Sequence, residues 1–403
     1  MTTAPPLVVV GNPDNRRVRM FQAAAGAAWP GPVETLPWRR LAEGPVRLPD
    51  HAVVRVDSPG EDAEVDRLLR GADRPAEHGE IGGSAAWYAG LRAALDRLTT
   101  AVRDAHATLV NDPADVAVMF DKRACHARLT RFGVPVPAAL PVSPGDYGEL
   151  RAMLRGAGWA RVFVKPAHGS SASGVLALET APGRVQATTS VELAADGRLF
   201  NSLRVRRYRT EREVAAIVDR LAPDGLQVER WFPKAGLGGR TLDLRVLVVA
   251  GQPGHVVVRS GRGPLTNLHL GNDRGDLAEV RAAMGEPAYE AVLSTCVRVA
   301  ARFPGSLHAG VDLMVGTDWR RHMVAEVNAF GDLLPNLLDP AGRDSYAAQL
   351  HALTSGRFDR WRAGRSTDRP RTPIGSTPAA ETAATGTVRR PLVSATGGRG
   401  QVG

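Results

Sequence analysis

A chain of 403 residues with 43% hydrophobic and 23% charged residues has an ordinary globular composition and is long enough for two or three domains. Of its net charge of +9, a net +5 falls in residues 361–403, a Thr-, Pro-, Gly- and Ala-rich stretch expected to be a disordered basic tail, so the remaining body is too nearly balanced to suggest a nucleic-acid binder. Two cysteines, Cys125 and Cys296, exclude a disulfide scaffold and suit a cytoplasmic protein; no stretch approaches the roughly 18 apolar residues of a membrane span, and the N-terminus reads as a buried strand rather than a signal peptide.

In chain order, LVVVG at 7–11 is an apolar strand ending in Gly, followed by a helical pattern through Val18, Phe21 and residues 24–28. A second strand covers 51–56 and runs into the turn DSPGED (57–62); 64–70 and 86–98 are amphipathic helices. This alternation predicts a small Rossmann-like α/β domain over 1–108. A helix at 121–132 is stopped by Gly133 and the Val-Pro repeats. Strands follow at 161–165, 174–179, 185–192 and 200–205, then a helix at 210–221. LQVERWF, the hairpin LRVLVVAGQPGHVVVR, a helix at 286–303, a hairpin at 309–328 and a helix at 344–354 complete the body. There is no internal repeat.

Basic residues are distributed unevenly by type. Only three are lysine, Lys122, Lys165 and Lys234, against 48 arginines. A position that keeps Lys in such a chain suggests a need for a compact ammonium rather than a planar fork. Lys165 ends an apolar strand just before a loop of Gly, Ser and Ala that includes Gly169, Ser170, Ser171 and Gly174. Such a loop lets backbone N–H groups close over phosphate oxygens, and a solvated hairpin turn explains it equally well. Neither a Walker A order nor Gly-x-Gly-x-x-Gly is present.

In the hairpin at 309–328, a connection centred near residue 319 sets Asp312 opposite Glu326, with Asn328 on the same face and apolar neighbours at Val311, Leu313, Val324 and Val327. Two acids and an amide converging from a buried sheet suit Mg²⁺; a water-exposed face would make them ordinary surface groups. Arg245 shares a strand face with Asp243, which reads as either a surface pair or a phosphate-facing arginine held by that aspartate. Asn267 and His269 sit in a Gly-rich loop as candidate substrate or phosphate contacts.

Taken in order, NDP…DK (111–122), GVPVP (133–137), VFVKP..GSSASGV (162–175), VERWF (228–232), DLR (243–245), TNLH (266–269), GVDLM (310–314) and EVN (326–328) resemble the ATP-grasp superfamily, nearest to the ribosomal-protein glutamate ligase and glutathione synthetase branch. Each motif is weak alone; their order along 111–355 is specific. The resemblance implies a pre-ATP-grasp domain, then a two-lobed ATP-grasp fold with antiparallel sheets over 109–358, its phosphate-loop lobe at about 160–227 and its metal-binding lobe at about 228–355. It implies that Lys122 and Lys165 hold nucleotide phosphates and that residues 228–232, with Glu229, Arg230, Trp231 and Phe232, meet adenine and ribose. Arg245 would face the γ-phosphate, with Asn267 near the metal and Arg259 and His269 as weaker matches. Asp312, Glu326 and Asn328 would ligate Mg²⁺ or Mn²⁺. Lys234 reads as a third phosphate contact or a solvated side chain.

The activity implied is ATP-dependent, ADP-forming joining of a small-molecule or peptide carboxylate to an amine through an acyl-phosphate. A nucleotide-binding scaffold and a small-molecule kinase are the alternatives. Cys125 and Cys296 are expected to pack rather than react. The run AFGDLLPNLL after Glu-Val-Asn departs from the pattern of many relatives, so substrate identity does not carry over. DSPGED (57–62), HGE (78–80), Trp87 and Tyr88 are candidate substrate contacts from the N-terminal domain.

Overall fold

The computed structural model describes residues 4–169, 172–330, 334 and 337–364; the expected disordered tail falls outside them from residue 365 onward. The first sheet is parallel, with Leu7–Val10 flanked by Val33–Leu36 and Val53–Val56, and Thr108–Leu109 at the edge beyond Val53–Val56. Its central strand Leu7–Val10 reads as an unbroken apolar run because both its faces are covered. Leu7 and Val9 face Val18, Phe21 and Ala25 of helix Arg16–Ala28 and Tyr346 and Leu350 of helix Ser345–Thr354. Val8, Val10, Val54 and Val56 belong to the larger core with Trp38, Leu41, Val65, Leu69 and Leu91.

A second, six-stranded sheet runs Leu226–Arg230, Arg161–Pro166, Leu176–Ala181, Arg184–Leu193, Leu199–Tyr208 and Glu80–Ile81, every pairing antiparallel. Val162 and Val164 point into a core shared with helices Tyr147–Ala157 and Glu211–Leu221. Phe163 and Lys165 therefore face the other way, since side chains alternate along a strand.

The third sheet runs Asp273–Gly275, Gln252–Gly261, Arg240–Val249, His308–Val315 and His322–Asn328, also antiparallel, with Gly236–Leu237 pairing Arg240–Val249. Leu242, Leu244, Val246 and Val248 join Val311, Leu313, Val292, Cys296 and Val299 in one core, so helix Glu286–Ala300 covers that face. The α/β class, the parallel first sheet and the antiparallel lobes are as the sequence predicts. Additional elements include the strands Val33–Leu36, Glu80–Ile81, Thr108–Leu109, Gly236–Leu237 and Asp273–Gly275 and the helices Trp38–Glu43, Pro113–Phe120, Tyr147–Ala157, Leu277–Met284 and Arg357–Ala363. The predicted 86–98 helix extends over Ser84–Asp104. Among the described residues no helix is long and apolar enough to cross a membrane.

Helix Ser84–Asp104 presses against helix Ala63–Arg70 at Gly90, where a Cβ would stand 1.9 Å from the Leu69 carbonyl oxygen. In an open helix Gly→Ala stabilises by about 1 kcal/mol. Here Gly90→Ala should instead destabilise by about 1–3 kcal/mol through overpacking. Urea denaturation of the two proteins reads the sign; stabilisation would refute the close approach.

Candidate active site

The site lies where the cleft-facing sides of the second and third sheets meet. Lys165 comes from strand Arg161–Pro166. Its Nζ donates to Glu229 Oε2 at 2.6 Å and to the Ala325 carbonyl at 3.2 Å. Lys122 opens helix Lys122–Arg131, whose N-terminus is capped by the Asp121 side chain. Its Nζ donates to the Gly169 carbonyl at 2.7 Å and pairs with Glu326 Oε1 at 3.1 Å. Lys234, just past strand Leu226–Arg230, is buried and not solvated: its side chain is 8% exposed and its Nζ lies 3.2 Å from Asp243 Oδ2 and 2.9 Å from Thr266 Oγ1.

The sheet register assembles the rest. Asp243 is the cross-strand partner of Arg259, Arg245 that of Asp312, and Asp312 that of Glu326, while Asn328 faces Gly310. The predicted opposition of Asp312 and Glu326 is therefore met. Beyond it the pairing slips, with Leu313 opposite Val324, which leaves Ala325 as an extra residue. This bulge carries the carbonyl that receives Lys165. Arg245 does not pair with Asp243 as its spacing suggests; it forms a bidentate pair with Asp312, in which Nη2 meets Oδ2 at 2.9 Å. Arg259 bridges the two acids, from Nε to Asp243 Oδ1 at 2.7 Å and from Nη1 to Asp312 Oδ2 at 3.0 Å. Thr266 also donates to Asp243.

Burial alone would raise the Asp243 carboxyl, but Arg259 and Lys234 hold it well below the usual carboxylate range. Against the same burial, Arg245 and Arg259 lower Asp312. Burial pushes the Lys234 ammonium below its ordinary value, with Asp243 opposing. Burial would also lower Arg259, but Asp243 and Asp312 raise it. Asp243, Asp312 and Arg259 are thereby held in their charged forms. Cys125 and Cys296 are buried and their thiols are pushed up to about 12, so neither is a ready nucleophile, in keeping with a packing role.

Lys122, Lys165 and Lys234 line one cleft with Glu229, Arg230, Phe232, Arg259, Asn267, Asp312 and Glu326. Arg245, His269, Asn328 and Gly169 line an adjoining cavity, which shares Arg259, Asn267 and Glu326 with the cleft. Trp231 lies outside both linings. Its ring packs on Phe163 at 4.8 Å and under the Arg161 guanidinium at 4.2 Å. In the loop, Ala172, Ser173 and Val175 reach the cleft. Gly174 shapes it: φ is 73°, and a Cβ there would meet Pro166 Cγ at 2.6 Å. Ser170 and Ser171 lie outside the described residues. Among the N-terminal candidates, Ser58, Gly60 and Trp87 line the adjoining cavity, and Glu80 lines a further one. Tyr88 stacks on the His168 ring at 4.0 Å. Asp243 and Thr266 line the cleft without having been placed there by the sequence, and Lys234, read as a phosphate contact or a solvated side chain, lies among them. The scarcity of lysine was the signal available for one of them.

The donor set admits a hard cation in kind, with two carboxylates and an amide oxygen on one sheet face. Among the described residues no group of three or more His, Cys, Asp or Glu stands together as a metal cluster. A protein cage is therefore not what these residues build; Mg²⁺ characteristically completes a shell of one or two carboxylates with substrate phosphates and water.

The three-sheet arrangement, with a parallel sheet before two antiparallel ones that clasp a lysine-lined cleft, is the fold of the ATP-grasp ligases. No family model and no curated protein matches the sequence. Among solved structures, the D-cycloserine synthetase DcsG superposes with a TM-score of 0.52 over 87% of this chain and 99% of its own at 16% identity. The macrocyclase MdnC of Microcystis aeruginosa, bound to precursor peptide MdnA, gives 0.51 over 87% and 99% at 12% identity. The ATP-grasp ligase PsnB, complexed with precursor peptide PsnA2 and AMPPNP, gives 0.50 over 89% and 99% at 17% identity. At these identities the likeness is one of fold.

The lowered aspartates stabilise the fold above the unfolded aspartate pKa of about 3.9, and that stability is lost as pH falls from there through their lower folded values. Urea midpoints should accordingly drop steeply below about pH 4. Asp243→Asn, which leaves Arg259 and Lys234 short of a counter-charge, should cost about 3–5 kcal/mol at neutral pH and flatten that acid slope. An unchanged slope would show that Asp243 is not held as described.

Proposed function

We propose that this chain is an ATP-dependent, ADP-forming ligase that joins a carboxylate to an amine. One observation carries the reading: all three lysines of an otherwise arginine-based chain line the same cleft. Compact ammonium groups on rigid elements are suited to gripping a polyphosphate from several sides. Lys122 and Lys165 would hold the inner phosphates, and Phe232 and the strand Leu226–Arg230 would seat the base and ribose. Asp312, Glu326 and Asn328 would hold Mg²⁺, which when bound offsets charge on the phosphate oxygens.

In this structure the acids and cations of the site neutralise one another. A triphosphate entering the cleft would draw the lysines away from Glu229 and Glu326. The carboxylate oxygen of the substrate attacks the γ-phosphorus, the bond to the β–γ bridging oxygen breaks, and ADP departs. The amine nitrogen then attacks the acyl carbon, the carbon–oxygen bond to phosphate breaks, and the amine proton leaves with phosphate or water. Arg245 and Arg259, already fixed by Asp312 and Asp243, stabilise charge on the transferring group without having to reorganise. The fold shared with DcsG, MdnC and PsnB supports ligation over the kinase and scaffold alternatives.

Lys165→Arg tests the lysine argument directly, because it keeps the charge and loses the shape. It should weaken AMPPNP binding by at least about tenfold, and Asp312→Asn should abolish ADP formation. The assay incubates the protein with Mg-ATP and pools of acids and amines, following ADP and the product mass. ADP release that needs no amine would point to the kinase, and nucleotide binding without ADP to the scaffold.

A further inference from the structure

The adjoining cavity has a volume of 230 Å³, room for a molecule of amino-acid size. It opens at the catalytic wall through Arg259, Asn267 and Glu326, which it shares with the nucleotide cleft. One side is an aromatic ladder: Trp87 and Phe120 lie 5.7 Å apart, and Phe120 and Phe330 5.3 Å apart. The remaining side comes from the first sheet and carries Arg17, Ser58 and Gly60.

Arg17 and Ser58 follow the carboxyl ends of adjacent parallel strands, Leu7–Val10 and Val53–Val56. The helices after those strands, Arg16–Ala28 and Ala63–Arg70, cover opposite faces of the sheet. That is a topological switch point, where doubly wound sheets open a crevice and bind ligands. The Asn12 side chain ties the two loops together there, donating to the Pro59 and Gly60 carbonyls at 3.0 and 3.1 Å. Arg17 is 17% exposed and meets Glu61 loosely, at 3.6 Å, while the Glu61 side chain is 70% exposed. A partly buried guanidinium with so solvated a counter-ion is available to an incoming anion.

Building on the ligase reading, we infer that the acid activated here is a small dianion with a flat apolar body. One carboxylate reaches Arg245 and Arg259, the body lies along Trp87, Phe120 and Phe330, and the second anionic group pairs with Arg17. Arg17 and the aromatic wall are then specificity-determining residues, distinct from those that grip the nucleotide.

Calorimetric titration of the full chain loaded with Mg-AMPPNP tests this, using para-carboxyphenylacetate, phenylacetate and adipate as probes. The aromatic diacid should bind about tenfold tighter than either other probe. Arg17→Gln should reduce it to the level of phenylacetate, Arg17→Lys should keep part of the difference, and Trp87→Ala should remove its advantage over adipate. AMPPNP affinity should stay at the wild-type value in all three variants, reporting an intact fold and cleft. If AMPPNP binds but the three acids bind alike, or none binds, or Arg17→Gln leaves the diacid unaffected, the inference is overturned and the ligase reading stands. Failure of the wild-type protein to bind Mg-AMPPNP overturns the ligase reading itself.

Discussion

The register of strand Arg240–Val249 is the constraint on which the site depends. Its even-numbered residues from Leu242 to Val248 fill the core beneath helix Glu286–Ala300, so Asp243 and Arg245 are committed to the cleft face. Its neighbours then supply Arg259, Asp312 and Glu326 to that face by direct cross-strand pairing. A slip of one residue would drive the charges into the apolar core and expose the valines and leucines. The hydrophobic pattern thus holds these charges in line at no cost in special geometry. The charges themselves are expensive to bury, and apolar replacements would often be as stable. Their retention is better explained by what they can bind.

The chain's preference for arginine sharpens this point. Arginine stacks on aromatic rings throughout the fold, as Arg55 does over Phe21 at 4.0 Å and Arg161 over Trp231 at 4.2 Å. Those positions use the planar guanidinium as a packing surface. The lysines occupy none of them, and each instead ends in the cleft on a carboxylate partner.

Much of this was legible in the sequence, and what was not has identifiable causes. The 309–328 hairpin disclosed the Asp312–Glu326 pair because alternation and a symmetric connection suffice to place it; the bulge at Ala325 follows from contacts no pattern shows. Arg245 was matched to Asp243 because they share a strand face, yet residues two apart on a strand are separated by about 6.6 Å, whereas a directly opposed pair is about 5 Å apart. The nearer partner, Asp312, is distant in sequence. The two readings of Lys234 stayed open because its burial depends on Asp243 from a strand and Thr266 from a loop, neither of which its local sequence places. Helix Tyr147–Ala157 carried readable signals, an Asp146 cap bonded to the Glu149 N–H and Gly158 at φ 67°, that its sparse apolar pattern obscured. Glu80–Ile81 is too short a strand to announce itself, although it joins the first segment to the second sheet.

Helix Ser345–Thr354 lies on helix Arg16–Ala28 and finishes one face of the sheet formed by the first strands. Leu7, Val9 and Phe21, already packed with Val18 and Ala25, therefore gain the rest of their cover from Tyr346 and Leu350, which are far away in sequence. Contacts between segments so distant in sequence form slowly, because the chain between them must be ordered first, so this face of the parallel sheet should be among the last parts of the fold to close.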